Sequence, residues 1–288
     1  MTDNMNIQWY PGHMTKTRRQ IEADLKLVDA VCEIVDARIP VSSRNPDIDA
    51  ICGDKPRMIV LNRMDLADPA ATKKWAECFR RKGMAVIATD CKSKKGISAF
   101  TPAARLACAE KLERDAKRGM NRPLRVMVVG IPNVGKSTLI NQISGRKSAK
   151  AENRPGVTRG KQWVTVDSGL QLLDTPGILW PKFEDPEVGM MLAYTGAVKE
   201  GVIDLEELAY RLMELLHKFY PQTLLERYKV EAPEGTPGWQ LLEMAARKRG
   251  YLISGGEVNT ERMAKVLLDE FRNGKLGNFT LEMPEDMV

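Results

Sequence analysis

The stretch 124–137, LRVMVVGIPNVGKS, decides the fold. Its first half is an apolar run typical of a buried strand, and GIPNVGKS matches the Gly-x-x-x-x-Gly-Lys-Ser/Thr phosphate loop without a gap. In such a loop the backbone amides and the start of the next helix face phosphate oxygens. The lysine reaches the β- and γ-phosphates and the serine hydroxyl ligates magnesium. The sequence therefore predicts a nucleoside triphosphate site, with Lys136 on the phosphates and Ser137 on Mg²⁺.

The residues on both sides of this stretch predict an α/β domain. Apolar runs bounded by turn residues lie at 30–37, 57–62 and 84–89. Helix-compatible stretches, 69–82 and 98–118, separate these runs or follow them, as in a parallel sheet with helices on both faces. Beyond the loop, 138–144 is expected to form a helix and 162–177 a hairpin.

The composition changes after about residue 200. Asp204 followed by Glu207 resembles a capping box, and apolar residues at helical spacing run from there to Phe219. Pro221 is expected to end that helix, and further helices are expected at 238–249 and 260–273. The prediction is a sheet domain over 1–200, with an N-terminal extension over 1–28, and a small all-helical domain over 201–288. The basic residues of the helical domain make it a candidate RNA-contact surface or a lid on the sheet domain; they are Arg247, Lys248, Arg249, Lys265, Arg272 and Lys275.

Composition narrows the class of protein. The 288 residues have a formal net charge of +6, so an anionic partner is plausible without being required. Five cysteines without a Cys-x-x-Cys pair, and only two histidines, argue against a zinc site and for reduced thiols in the cytoplasm. We find neither a signal segment nor an apolar run of membrane length, and we therefore expect a protein without membrane-spanning helices.

A second element is needed to hold the metal and sense the γ-phosphate. Asp174-Thr-Pro-Gly177 ends the predicted hairpin: the Asp174 carboxylate suits magnesium bound through water, and the Gly177 amide suits the γ-phosphate. The loop RPGVTRG, 154–160, has the polar, glycine-containing composition of a switch. Its Thr158 is the natural hydroxyl to complete the magnesium shell. On its own, Asp-x-x-Gly is common in turns and indicates little. The alternative for 154–160 is an ordinary surface loop with Thr158 at a turn.

In GTP-binding folds the base is recognised by an Asn-Lys-x-Asp motif at the end of a strand that follows the Asp-x-x-Gly segment. Nothing after Gly177 matches this motif. The match lies before the phosphate loop, at Asn62-Arg63-Met64-Asp65. The Asp65 carboxylate can accept two hydrogen bonds from guanine N1 and N2, which adenine does not offer. The motif therefore predicts a preference for guanine.

The next strand ends in Asp90-Cys91, where the last base-contacting loop would fall. The order along the chain is then base reader, phosphate loop, switch and metal carboxylate. This is a circular permutation of the usual order, and it explains why the phosphate loop begins only at residue 130. Permutation is feasible because strands can keep their places in a sheet while their connections change.

Taken together, the motifs resemble the YlqF/RbgA-type circularly permuted GTPases. The stretches that show the resemblance are WYPGHM (9–14), DARIPVSSRNP (36–46), NRMD (62–65), GIPNVGKSTLIN (130–141), RPGVT (154–158) and LLDTPGILWPKFED (172–185). The resemblance implies a GTP-hydrolysing switch in late assembly of the large (50S) ribosomal subunit. Such a switch binds the pre-ribosomal particle as the GTP form and leaves after hydrolysis. It also implies GTP or GDP with Mg²⁺, contacts to rRNA and ribosomal proteins, a monomer, and a slow, ribosome-stimulated turnover.

The family pattern assigns the nucleotide contacts to three segments besides Gly177: 62–65, 90–91 and 133–138. The base contacts are Asn62, Arg63, Met64, Asp65, Asp90 and Cys91, and the phosphate contacts are Asn133, Val134, Gly135, Lys136, Ser137 and Thr138. Arg63 stands where the family has Lys, which we expect to change affinity more than base choice. Ile178 follows Gly177, where small GTPases have a water-orienting Gln, so another group must assist hydrolysis.

Two residues are candidates for that assistance, besides the assigned Lys136 and Thr158. Asn133 resembles the Asn of potassium-activated GTPases, in which K⁺ supplies the positive charge of an arginine finger; the alternative is an Asn bonded to local backbone. His13 lies in Pro-Gly-His-Met and titrates near neutrality, which suits a role on the attacking water. Its alternative is an RNA-contacting or structural role.

Three other functions are compatible with parts of the sequence. A phosphotransferase or ATPase could use the same phosphate loop, but it would not require NRMD. An RNA-binding module could hold guanine nucleotide as a structural ligand only. A GTPase of the small subunit would have the same motifs.

Overall fold

The computed structural model describes residue 19 and the ranges 21–145, 162–175, 185–198 and 204–284. These residues form two compact units, one built around a sheet and one helical. Three predicted site residues, His13, Thr158 and Gly177, lie outside the described residues. No helix in the described ranges is long and apolar enough to span a bilayer.

The sheet unit contains six strands among the described residues. They are β1 Ala30–Asp36, β2 Arg57–Asn62, β3 Ala85–Thr89, β4 Leu124–Val129, β5 Gln162–Asp167 and β6 Leu170–Asp174. Their order in the sheet is β3-β2-β1-β4-β6-β5, and the described neighbours pair in parallel except for the hairpin β5–β6. All seven residues of β1 are buried, as expected for a central strand covered on both faces. The predicted mostly parallel sheet is confirmed.

Helices cover this sheet. They are α1 Ile48–Cys52, α2 Pro69–Arg81, α3 Phe100–Ala107, α4 Ala109–Lys117 and α5 Lys136–Ser144. Asp68 caps α2 by accepting hydrogen bonds from the amides of Ala70 and Ala71, with Pro69 in the first turn. Trp75 and Phe79 then pack against β2 residues in one core cluster. α3 lies against β1, β2 and β3.

The predicted helix over 98–118 is interrupted. A 3₁₀ turn, Ile97–Ala99, precedes α3, and the chain leaves helical geometry at Cys108, where φ is −108°. The reason is a change of environment: α3 buries Phe100 and Ala104, whereas none of the nine described residues of α4 is buried. Cys108 itself is buried, so the break anchors the point where the chain leaves the sheet.

The helical unit contains α6 Pro186–Tyr194, α7 Leu205–Phe219, α8 Pro221–Tyr228, α9 Gly238–Lys248 and α10 Thr260–Arg272. Asp204 caps α7 as predicted, accepting from the amides of Glu206 and Glu207. α7 packs on α8, α9 and α10. The α9 contact is close, because a Cβ at Gly238 would lie 2.0 Å from the Tyr210 carbonyl oxygen.

Two boundaries differ from expectation. Pro221 ends one helix and begins another, α8, because proline lacks only an amide that a first helical turn leaves unpaired anyway. The division into units does not fall at 200/201, since α6 belongs with the helical unit: Arg272 of α10 donates to the carbonyls of Tyr194 (3.0 Å) and Ala193 (2.8 Å). At the other end, the chain returns to the sheet unit at Glu282.

Candidate nucleotide-binding site

The phosphate loop connects β4 to α5, and its two glycines are required by close neighbours. A Cβ at Gly130 would lie 2.6 Å from the carbonyl oxygen of Ile34 in β1. Gly135 has a φ of +106°, which side chains rarely adopt, and a Cβ there would lie 2.4 Å from Asn62 Nδ2. The glycine spacing of the motif therefore fits the loop against β1 and the end of β2. α5 begins at Lys136, two residues before the predicted start.

Lys136 lies at the centre of this loop and is 7% exposed. Its Nζ donates to the carbonyls of Gly130 (3.2 Å) and Ile131 (3.3 Å). Burial lowers the pKa of Lys136 to about 8, although the nearby Asp174 charge opposes the change. A buried ammonium group that donates to two carbonyl oxygens can bind an anionic phosphate strongly.

Asp174, at the end of β6, is 1% exposed. Its Oδ1 has no hydrogen-bond partner among the described residues. Burial raises the pKa of Asp174 to about 6, with the Lys136 charge acting in the opposite direction. The next residue, Thr175, fixes this end of the strand by donating from Oγ1 to the Val128 carbonyl at 2.8 Å. Such a carboxylate suits a cation or a cation-bound water.

Replacing Asp174 with Asn is expected to stabilise the nucleotide-free protein at pH 7 by about 2 kcal/mol, because a buried charge is removed. The pKa of Asp174 in the folded protein lies above its ordinary value, so the folded state binds the proton more tightly. The carboxylate therefore destabilises the fold increasingly as pH rises from about 4 to about 6. Urea unfolding across this range measures the effect. The exposed Glu77→Gln serves as control, and a pH-independent difference between wild type and Asp174→Asn would contradict the argument.

Asn62 joins the predicted base-reading motif to the phosphate loop. The side chain is 3% exposed. Its Nδ2 donates to the Val134 carbonyl at 2.7 Å, and its Oδ1 accepts from Thr89 Oγ1 at 3.1 Å and from the Cys91 amide at 3.3 Å. One buried amide thus connects the ends of β2 and β3 with the loop after β4, although 72 positions separate Asn62 from Val134.

Arg63 makes a second connection. It adopts a left-handed conformation with φ at +60°. Its Nη2 donates to the Asn133 carbonyl at 2.6 Å, and its Nη1 lies 3.6 Å from Asp36 Oδ2. The arginine in the position of the usual lysine thus braces the phosphate loop through a backbone carbonyl.

Asp65 and Asp90 occupy neighbouring loops at the same edge of the sheet. Most of the Asp65 side chain is exposed to solvent. The pKa of Asp65 is nevertheless raised, first by partial desolvation of the carboxyl group and second by the Asp90 charge. The Asp90 loop is held by hydrogen bonds from the Asp90 amide to the Lys95 carbonyl and from the Lys92 amide to Asp90 Oδ1. It closes tightly at Gly96, where a Cβ would lie 2.1 Å from the Ala88 carbonyl oxygen. Met64 and Cys91 lie within these two loops, as predicted.

No role in the site was predicted for the segment DARIPVSSRNP, residues 36–46. Asp36 there accepts from Arg38 through Nε (3.0 Å) and Nη2 (2.8 Å), and both side chains are almost fully buried. Burial acts to raise the pKa of Asp36, but the Arg38 guanidinium keeps it below its ordinary value. The sequence offered one indication of this role: an acidic residue, Asp36, ends β1 beside Asn62 at the end of β2.

The described part of the site thus brings 62–65, 90–91, 133–138 and Asp174 to one edge of the sheet. Ser137 and Thr138 lie half-buried in the first turn of α5. A phosphate loop that follows the fourth strand, β4, with its base-reading motif upstream after β2, defines a circularly permuted P-loop GTPase.

Comparison with known proteins agrees with this class. The family model described as 50S ribosome-binding GTPase matches residues 125–220. Ribosome biogenesis GTPase A of Priestia megaterium is 45% identical over 285 residues, 98% of each chain. The chain therefore belongs to the ribosome biogenesis GTPase A family. Two solved YlqF structures are similar along nearly their whole length. The GDP-bound one has a TM-score of 0.68 at 30% identity, covering 93% of this chain and 100% of that chain. The GNP-bound one, from T. maritima, has a TM-score of 0.62 at 29% identity, covering 94% and 99%.

Proposed function

We propose that this GTPase is a switch in late assembly of the large (50S) ribosomal subunit. The GTP form docks on a pre-ribosomal particle through rRNA and ribosomal proteins, hydrolysis follows, and the GDP form leaves. The observation that best supports a single guanine nucleotide pocket is the Asn62–Val134 hydrogen bond, which joins the base-reading motif to the phosphate loop. The protein acts in the cytoplasm as a monomer.

In this pocket the base and the phosphates have separate contacts. Asp65 accepts from guanine N1 and N2, and the 90–91 loop closes over the base edge. The amides of 133–138 surround the phosphates, and Lys136 exchanges its two carbonyl partners for phosphate oxygens. The Gly177 amide donates to the γ-phosphate. The lowered pKa of Lys136 is restored by this anionic partner, which adds to affinity.

The residues also fit a magnesium ion. The buried Asp174 Oδ1 lacks a partner among the described residues and suits a metal-bound water. Ser137 and Thr158 supply hydroxyl ligands. When bound, Mg²⁺ offsets negative charge on the β- and γ-phosphates. A cation bound at this position would lower the raised pKa of Asp174 and so favour its ionised form.

Hydrolysis without a partner is slow, because Ile178 cannot orient water. We assign the missing function to His13, which acts when the protein is bound to the particle. His13→Ala is expected to lower particle-stimulated turnover about 100-fold and to leave the basal rate unchanged. Phosphate release measured with and without large-subunit particles tests this assignment. Unchanged stimulated turnover in the variant would remove His13 from the mechanism.

Potassium is expected to raise GTP hydrolysis about 10-fold over sodium at equal ionic strength, because K⁺ near Asn133 supplies positive charge at the transition state. The Asn133 backbone is already held in a left-handed conformation, φ +60°, with its carbonyl bonded to Arg63. Steady-state hydrolysis in KCl and in NaCl measures the effect, and Asn133→Ala should abolish the difference. Equal rates in both salts would exclude a potassium site.

Co-sedimentation tests the proposed partner. The protein with a non-hydrolysable GTP analogue is expected to pellet with large-subunit precursors, and the GDP form is expected to stay in the supernatant. Binding to small subunits instead would identify a small-subunit GTPase. Binding that ignores the nucleotide, with no turnover on particles in potassium, would favour an RNA-binding module with a structural nucleotide, to which the basic residues of the helical unit would contribute.

A further inference from the structure

The residue that follows the helical unit, Glu282, is fixed to the sheet unit by both its side chain and its main chain. Its carboxylate accepts hydrogen bonds from two consecutive backbone amides, Val41 N to Oε2 at 2.6 Å and Ser42 N to Oε1 at 3.0 Å. Its carbonyl accepts from Trp75 Nε1 at 2.8 Å. Trp75 is fully buried in α2, so the attachment reaches a rigid element.

The loop that Glu282 holds also carries the buried Asp36 network. Ser43, next to Ser42, accepts from the Asp36 amide at 2.9 Å and donates to the Ile39 carbonyl at 2.6 Å. Burial raises the pKa of Glu282, hydrogen bonds from Ser42 lower it, and the Asp36 charge raises it again. The Asp36 charge therefore acts on the Glu282 carboxyl group.

A continuous polar path leads from this loop to the phosphate loop. The Asp36 carboxylate, held by Arg38, lies 3.6 Å from Arg63 Nη1, and Arg63 Nη2 donates to the Asn133 carbonyl at 2.6 Å. Arg38, Asp36 and Ser43 are each at most 2% exposed. Such links are little screened by water, so a change at one end affects the geometry at the other.

We propose that Glu282 is a positioning residue for the nucleotide site. It holds the Val41–Ser42 backbone, which sets Asp36, and Asp36 in turn sets Arg63 against the phosphate loop. Release of Glu282 loosens this bracing and speeds the loss of bound GDP. The inference rests on the guanine nucleotide pocket proposed above.

The test uses the full chain with a fluorescent GDP analogue, whose dissociation is followed after mixing with excess GDP. Glu282→Gln keeps the size of the side chain but replaces one acceptor oxygen with a donor that faces backbone amides. Dissociation is expected to be about 10-fold faster than in wild type. Glu261→Gln, on the exposed face of α10 in an ion pair with Lys265, is the control and should dissociate at the wild-type rate.

Two further variants separate positioning from general loss of stability. Ser43→Ala removes the hydrogen bond from the Asp36 amide to Ser43 Oγ and leaves the Glu282 carboxylate and the Arg63 side chain unchanged, and it is also expected to speed dissociation. It also serves as the test if Glu282→Gln does not fold. In a double-mutant cycle, Glu282→Gln with Arg63→Ala is expected to dissociate no faster than Arg63→Ala alone.

The outcomes are distinct. The inference is overturned if Glu282→Gln and Ser43→Ala release the GDP analogue at the wild-type rate. It is also overturned if the double variant shows the product of the two rate increases caused by Glu282→Gln and Arg63→Ala separately. The wild-type protein in the same assay must retain the GDP analogue against excess ATP. If ATP displaces it, the proposed guanine pocket is wrong; if only the Glu282 result is negative, the pocket remains and the positioning role is excluded.

Discussion

Asp65→Asn is expected to weaken GTP binding about 100-fold and to create binding of xanthosine triphosphate. The Asp65 carboxylate offers two acceptors to the N1–H and N2–H donors of guanine. An Asn in its place turns a donating NH₂ toward guanine N2, where two donors repel. Xanthine has an oxygen at this position, so the same Asn pairs with it. The exchange of one oxygen for NH₂ therefore reverses the preference.

Competition between nucleotides measures this reversal. A labelled GDP analogue on wild type should be displaced by GTP and neither by ATP nor by xanthosine triphosphate, and the order of GTP and xanthosine triphosphate should invert in the variant. Asp54→Asn, exposed before the opposite end of β2, is the matched control. If ATP displaced the label from wild type at the same concentration as GTP, the result would favour an ATPase and exclude Asp65 as the residue that recognises the base.

Asn62→Ala is expected to lower the free energy of unfolding by about 3 kcal/mol and to weaken nucleotide binding by more than 10-fold. The substitution leaves the Val134 carbonyl, the Thr89 hydroxyl and the Cys91 amide without their buried partner. Each unmet polar group costs about 1–3 kcal/mol, partly recovered by entry of water. The affinity falls because the phosphate loop is no longer attached to the base-reading segment.

Thr89→Val provides a graded comparison for Asn62→Ala. It removes the hydrogen bond from Thr89 Oγ1 to Asn62 Oδ1 and the weaker contact of Oγ1 with Cys91 Sγ, and it keeps the side-chain volume, so about 1 kcal/mol is expected. Urea unfolding and nucleotide titration of both variants measure the difference. An Asn62→Ala protein no less stable than Thr89→Val would mean that the amide does not hold the two segments together.

Local patterns predicted the strands and the glycine geometry well. The phosphate loop depends on a few neighbouring residues, and the strands near it are short apolar runs, so both could be predicted from sequence. The permuted order was also predictable, because NRMD is specific enough to be found upstream of the loop. The start of α8 at Pro221 was missed because the same proline is compatible with the end of one helix and the start of the next.

Contacts between distant parts of the chain could not be predicted in this way. Glu282 and Ser42 are 240 positions apart, and an acidic residue near the end of a chain has no periodicity or spacing that indicates a partner. The Asp36–Arg38 pair is local, but its role depends on Arg63, which approaches only when β1 and β2 pair. The roles of His13, Thr158 and Gly177 remain predictions.

The central position of β1 also affects how the chain folds as it is made. β1 pairs with β2 on one side and with β4 on the other. A growing polypeptide exposes the second edge of this strand, whose seven residues are all buried in the folded protein, until β4 has emerged from the exit tunnel. An open edge of this kind favours pairing with other nascent chains. A fragment ending before Leu124 is therefore expected to aggregate.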